Sequence, residues 1–226
     1  MTIFAVESSG RAASAAVAAE GRVISYACLD RGLTHSETLM PLCDRVFAGA
    51  GLMPKDIDCF AVTTGPGSFT GLRIGISLIK GMALACGRPC VGAPVNDALS
   101  RRAAGFPGVA VTVTDARAGR VFAAAYDMTQ DGRRLLEDEA VPVSELAGRL
   151  SGLGERYLLV GDATLLCYNS MKDQLPNLAA LPDALPSAYD TALLAGRLAE
   201  QGAAIDCRAL KPMYLQPSQA ERNLKK

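Results

Sequence analysis

The sequence predicts an α/β fold built twice over, and three observations carry that expectation. A strand–strand–strand–helix run fills residues 3–50, and the same order of elements begins again at Val109. In both copies the first strand ends in a carboxylate, Glu7 and then Asp115. In both, a basic turn of small residues follows: Ser8-Ser9-Gly10-Arg11 and Ala116-Arg117-Ala118-Gly119. The copies share pattern rather than identity, the mark of an old internal duplication. Gly105-Phe106-Pro107-Gly108 is the strongest punctuation between them, so two βββα-type domains are expected, residues 1–104 and 105–226.

Ile3 to Glu7 reads as a buried strand, and Ala12–Ala19 and Arg22–Asp30 as two more, joined at Glu20-Gly21. Thr34-His35-Ser36-Glu37 has the form of a capping box that opens a helix. Leu39, Leu42, Cys43, Val46, Phe47 and Ala50 share one face of it, with Met40 on the flank. Pro41 lies inside this helix, and Gly51 suits its C-terminal cap. An apolar strand, Cys59–Thr64, leads into the glycine-rich loop Gly65–Gly71 and then a helix expected from Leu72 to Cys86. A short strand, Pro89–Ala93, and a helix from Asn96 to Ala104 close the first copy. The second copy has strands at Val109–Thr114 and Arg120–Asp127, a turn at Asp131-Gly132 and a third strand. Beyond it come a helix near Val143–Leu150, a strand Arg156–Val160 and an amphipathic helix Ser187–Gln201. Two such halves, each with a carboxylate at its first strand end, describe the duplicated actin-like/Hsp70-like (ASKHA) architecture shared with hexokinases.

The Leu72–Cys86 helix is the unusual element. On a helical wheel Arg73, Ser77 and Lys80 fall on one narrow side, and apolar residues or glycine fill the rest, an arc of roughly 220°. A surface helix shows an apolar stripe nearer to about 100°. One sheet cannot cover that much apolar surface. Gly71 and Gly75, four apart, would let a second backbone come close. Two readings stand at this point: a helix buried within its own domain, or one buried half by its sheet and half by a partner.

Lys+Arg 23 against Asp+Glu 23 leaves no net charge, which disfavours independent binding of nucleic acid. The seven cysteines, at 28, 43, 59, 86, 90, 167 and 207, form no C-x-x-C, and His35 is the single histidine. No metal site is expected, and reduced thiols in a cytoplasmic protein are. The N-terminus has no basic n-region or cleavage site, so export is not expected. Arg73 and Lys80 interrupt the longest apolar stretch, so a membrane span is not expected either.

Gly65–Gly71 sits between a strand and a helix N-terminus, where anions bind. It is no P-loop, because Leu72-Arg73 stands where Lys-[Ser/Thr] belongs, and its spacing misses the dinucleotide fingerprint. Neither strand-end turn has the glycine spacing that ATP phosphates need. Ser68 and Thr70 have no histidine at a triad-like spacing, and His35 at a helix start reads as exposed or interfacial rather than as a base. No catalytic residue and no cofactor is expected.

The segments His35-Ser36-Glu37-Thr38-Leu39-Met40-Pro41, Gly65-Pro66-Gly67-Ser68-Phe69-Thr70-Gly71-Leu72-Arg73-Ile74-Gly75 and Asp115–Phe122 resemble the TsaB (YeaZ) family. Pro212-Met213-Tyr214-Leu215 is similar to that family's closing strand. Glu7, in place of an aspartate, and Gln216, in place of an arginine, depart from its pattern. The resemblance implies two actin-like domains and a non-catalytic relative of TsaD, the subunit that transfers the threonylcarbamoyl group to tRNA. It further implies a heterodimer with TsaD, a homodimer when alone, TsaE as a third partner, and tRNA reached only through the complex. The resemblance puts that interface on helices of the N-terminal domain, and the apolar arcs of the two helices put Met40, Phe47, Leu72, Gly75, Ile76 and Ile79 at its centre and Arg73 and Lys80 at its rim. The alternative is an independent nucleotide-binding enzyme of actin-like fold, such as a small kinase.

Overall fold

The computed structural model describes residues 1–175 and 177–216. The chain forms two compact units, Met1–Ala98 with Leu185–Pro212, and Leu99–Ala184 with the residues from Met213 onward. Residues 217–226 of the expected C-terminal domain lie outside the described residues.

In the first unit β1 (Thr2–Glu7), β2 (Ala13–Ala19) and β3 (Arg22–Leu29) form an antiparallel meander. Helix α1 (His35–Ala50) then leads to β4 (Cys59–Gly65), and α2 (Phe69–Cys86) to β5 (Cys90–Pro94). The strands order as β3-β2-β1-β4-β5, with β4 parallel to both β1 and β5. Alternation along β1 separates two cores. Phe4 and Val6 face α1 and α2, where Leu39, Val46, Phe47, Ile76 and Ile79 meet them. Ile3 and Ala5 face the other way.

The second unit repeats this plan. β6 (Val109–Asp115), β7 (Arg120–Asp127) and β8 (Arg133–Pro142) form the meander. α4 (Val143–Leu150), β9 (Tyr157–Val160), α5 (Thr164–Met171) and β10 (Leu178–Leu181) follow α3 (Val95–Ser100) and that meander in order. The sheet order β10-β9-β6-β7-β8 is the first unit's order over again, which bears out the duplicated actin-like α/β fold. α5 and β10 were not expected from sequence. Leu165 and Leu166 of α5 are exposed, so that helix has no clean amphipathic signal.

The expected sequential division at residue 104 needs correction. The first cut falls between Ala98 and Leu99, inside α3, because Leu99 and Ala103 are buried with Ala110, Ala124, Tyr126 and Val160 of the second unit. Helix α6 (Ala188–Glu200), expected in the C-terminal half, belongs to the first unit. Its Ala188, Ala192 and Ala195 lie on Ile3, Ala5, Ala16, Ala18, Ala61 and Val91. Methyl groups on both sides let a helix sit close to a sheet. The Ser14 hydroxyl accepts the Ala188 amide at 2.9 Å and fixes the helix start. Residues 212–215, expected to form a closing strand, have no strand conformation.

Candidate functional site

The site grows from the C-terminal ends of β1 and β4. Ser68 caps α2: its hydroxyl accepts the Gly71 amide at 3.2 Å, so the helix starts at Phe69, ahead of the expected Leu72. The Ser68 amide donates to the Ser9 carbonyl at 2.7 Å. The Ser8 hydroxyl donates to the Gly71 carbonyl at 2.9 Å. The turn after β1 is thus bonded directly to the first residues of α2.

This contact explains the glycines. A Cβ on Gly67 would stand 2.6 Å from the Ser9 carbonyl oxygen, and one on Gly71 would overlap the Ser8 carbonyl oxygen. A Cβ on Gly75 would overlap Ser8 Oγ. The backbone expected to approach Gly71 and Gly75 from a partner is the chain's own Ser8–Ser9 turn. The loop amide that would otherwise meet an anion is spent inside the fold.

Glu7 lies at the centre of this turn with no solvent exposure. The Ser9 amide donates to its Oε1. Burial raises its pKa above the ordinary carboxylate value, and hydrogen bonding by Ser9 and Thr63 and the charge of His35 oppose that rise. His35 stands at the start of α1, with Nε2 3.0 Å from the Gly10 carbonyl oxygen. Asp115, the counterpart in the second unit, is exposed instead. Its Oδ1 accepts the Arg117 amide at 2.7 Å, and its own amide donates to Asp162 Oδ1 at 2.9 Å. The two strand ends share a position and not an environment.

The expected interface residues separate into two groups. Met40 is 49% exposed, Arg73 is exposed and Lys80 half-buried, its Nζ donating to the Arg208 carbonyl at 3.3 Å. Leu72, Gly75, Ile76 and Ile79 are buried in their own unit, as is Phe47, whose ring stacks on Phe4 at 4.5 Å. Those five therefore cannot form the outer contact. The wheel measured the width of the apolar arc but not which half the sheet covers. The outward half carries Thr70, Arg73, Ser77, Gly81, Leu84 and Ala85, with Ile74, Leu78 and Met82 half-buried beside it. Leu84 is 68% exposed. Phe69, Thr70, Arg73, Ile74 and Ser77 line an open crevice of about 490 Å³, where the Arg73 guanidinium lies 3.8 Å over the Phe69 ring. α2 is also the one described helix long and apolar enough to cross a membrane, at a mean hydropathy of 1.4, although a third of it is committed to the unit's core.

Among the described residues no three His, Cys, Asp or Glu side chains cluster as a metal site would require. All seven cysteines are free, and burial pushes the Cys43, Cys90 and Cys167 thiols up to about 12 and Cys59 to about 11. Sequence reasoning missed Leu84 on the outer half of α2, and Ile74 and Leu78, which pack partly against the unit's own core. The signal for them was the glycine spacing, once it is read as marking the inner side.

The chain as a whole is similar to known proteins. The family described as "TsaD: tRNA N6-adenosine threonylcarbamoyltransferase" matches residues 32–221. The tRNA threonylcarbamoyladenosine biosynthesis protein TsaB of Bacillus subtilis is 27% identical over 223 residues, covering 98% of this chain and 96% of its own. Its Escherichia coli namesake is 28% identical over 228 residues, covering 99% and 98%. The solved structure of YeaZ from Pseudomonas aeruginosa superposes with a TM-score of 0.80 at 26% identity, over 95% of this chain and 99% of that one.

Proposed function

The chain belongs to the TsaD (tRNA N6-adenosine threonylcarbamoyltransferase) family and, within it, to the TsaB/YeaZ group, and from that premise we propose that it is a non-catalytic partner subunit in the synthesis of threonylcarbamoyladenosine in tRNA. It docks on the catalytic TsaD subunit in the cytoplasm, TsaE joins the assembly, and the free protein pairs with itself through the same face. One observation carries the reading. A third of the apolar helix α2 is fully buried by its own unit, and Leu84 stands 68% exposed on its outer half, with Ile74 and Leu78 only half-covered by the core they pack against. An apolar face of this kind on a monomer marks a contact surface.

Two features support a binding role over a catalytic one. The Ser8–Ser9 turn fills the approach to the α2 N-terminus, with the Ser68 amide already bonded to Ser9. Glu7 is sealed from solvent, where it cannot reach a substrate. The interface follows the corrected outer face, Met40 on α1 with Arg73, Ile74, Ser77, Leu78 and Leu84 on α2. An isologous self-contact through one helix face would occupy the surface that TsaD needs, so the two states exclude each other.

The test is to mix the purified protein with TsaD and to measure the mass of the product by light scattering. Ser77→Arg places a long cation in the middle of the exposed face and touches no core residue. The expected result is a heterodimer with the wild type and separate components with Ser77→Arg, whose thermal transition stays unchanged. Full complex formation by the folded variant would put the interface elsewhere.

A further inference from the structure

Resting on the docking reading above, we propose that Arg73, seated in the crevice on α2, is the receptor for one carboxylate side chain of the protein partner. Phe69 and Arg73 stand four residues apart on α2, where side chains on a helix meet. The Arg73 guanidinium carbon lies 3.8 Å from the centre of the Phe69 ring. So close an approach lays the flat cation over the face of the ring, and cation–π attraction holds it there. The N–H groups of a guanidinium lie in its own plane, and the stack does not engage them. Stacking therefore sets the orientation of the donor fork at the crevice wall, a fork whose geometry matches two carboxylate oxygens. Thr70 and Ser77 add hydroxyls to the same crevice, and Phe69 and Ile74 give it apolar walls. Apolar walls lower the local dielectric and strengthen a charged hydrogen bond.

The crevice has charge of one sign. Arg73 is the one ionic residue among the five that line it. α1, α3, α4 and α6 each place an acid in the first turn, Glu37, Asp97, Glu145 and Asp190, against the positive end of the helix dipole. α2 has no acid there and carries Arg73 just beyond its first turn. A cation at that place works against its own helix dipole and makes the crevice electropositive, the complement of an acidic side chain. The volume of about 490 Å³ admits an aspartate or glutamate. A protein carboxylate suits it better than an RNA phosphate. Phosphate binding draws on several cations, and this chain has no net charge.

The experiment measures affinity for purified TsaD by titration calorimetry in low and in high sodium chloride. Arg73 is exposed, so its variants should keep the thermal midpoint of the wild type. Arg73→Gln is expected to weaken the complex at least about tenfold in low salt and to flatten its salt dependence. Arg73→Lys keeps the charge without the planar fork and should recover only part of that loss. Arg73→Glu should abolish binding, and lysine in place of one carboxylate on TsaD should restore it. Unchanged affinity and salt dependence in Arg73→Gln would overturn the receptor. So would a loss of tRNA binding with the TsaD complex intact, which would assign Arg73 to phosphate. A wild-type protein that forms no complex with TsaD would remove the docking face, and the receptor with it.

Discussion

Gly75 lies directly against Ser8: a methyl group at Gly75 would occupy the space of the Ser8 hydroxyl oxygen and come within 3.3 Å of Val62 Cγ2. Ser8 is fully buried and bonded to the Gly71 carbonyl, so it has nowhere to move. Glycine at this position is a packing requirement inside the subunit.

Gly75→Ala should therefore destabilise the protein by about 1–3 kcal/mol, the usual cost of overpacking. A methyl group added at Gly81, on the outer face of the same helix, would meet nothing within 4 Å. There alanine should stabilise by about 0.5–1 kcal/mol through helix propensity. Urea unfolding midpoints of the two variants should move in opposite directions.

Leu84→Glu changes a side chain that is 68% exposed and leaves the core untouched. Its stability should stay within about 0.5 kcal/mol of wild type. Its self-association, followed by sedimentation velocity over a dilution series, should weaken by at least about tenfold, equivalent to about 1.4 kcal/mol. Unchanged association would exclude the C-terminal part of α2 from the contact.

The pH dependence follows from the raised pKa of Glu7. A carboxyl that ionises less readily when folded holds its proton more tightly in the native state than in the unfolded one. Its contribution is complete below the ordinary carboxylate pKa of about 4.3 and is lost as pH rises through the folded value. Glu7→Gln should remove this loss, and its stability should fall less than that of the wild type as pH rises above about 4.3. Equal slopes for the two proteins would mean that Glu7 does not titrate on folding.

Thiol reactivity should divide along burial. Cys43, Cys90 and Cys167 are held near 12 and Cys59 near 11 by burial, so little thiolate forms at neutral pH. Cys28 is exposed and Cys86 half-buried. Brief alkylation of the native protein, read by peptide mass spectrometry, should modify Cys28 first and Cys86 next. Early modification of Cys43 or Cys167 would show that their cores open readily.

Much of the molecule is determined by sequence alone, because the signals are local. Continuous apolar runs define the buried strands β1, β2 and β4, the Thr34–Glu37 box marks the start of α1, and Gly51 and Gly87 end their helices in left-handed conformation at φ 65° and 62°. The repeated order of elements, each first strand closing on a carboxylate, specifies the duplicated fold before any contact is known. Three matters were decided only by tertiary structure. The direction in which α2 faces was one, since an arc of roughly 220° is wider than any sheet can cover and the wheel has no preferred half. The placement of α6 on the first unit was another, since alanine spacing shows a close-packing face without saying which sheet receives it. The meaning of Gly67, Gly71 and Gly75 was the third. A glycine reports that something comes close, and only the folded chain shows that the visitor is Ser8–Ser9, carried there by the parallel pairing of β1 with β4.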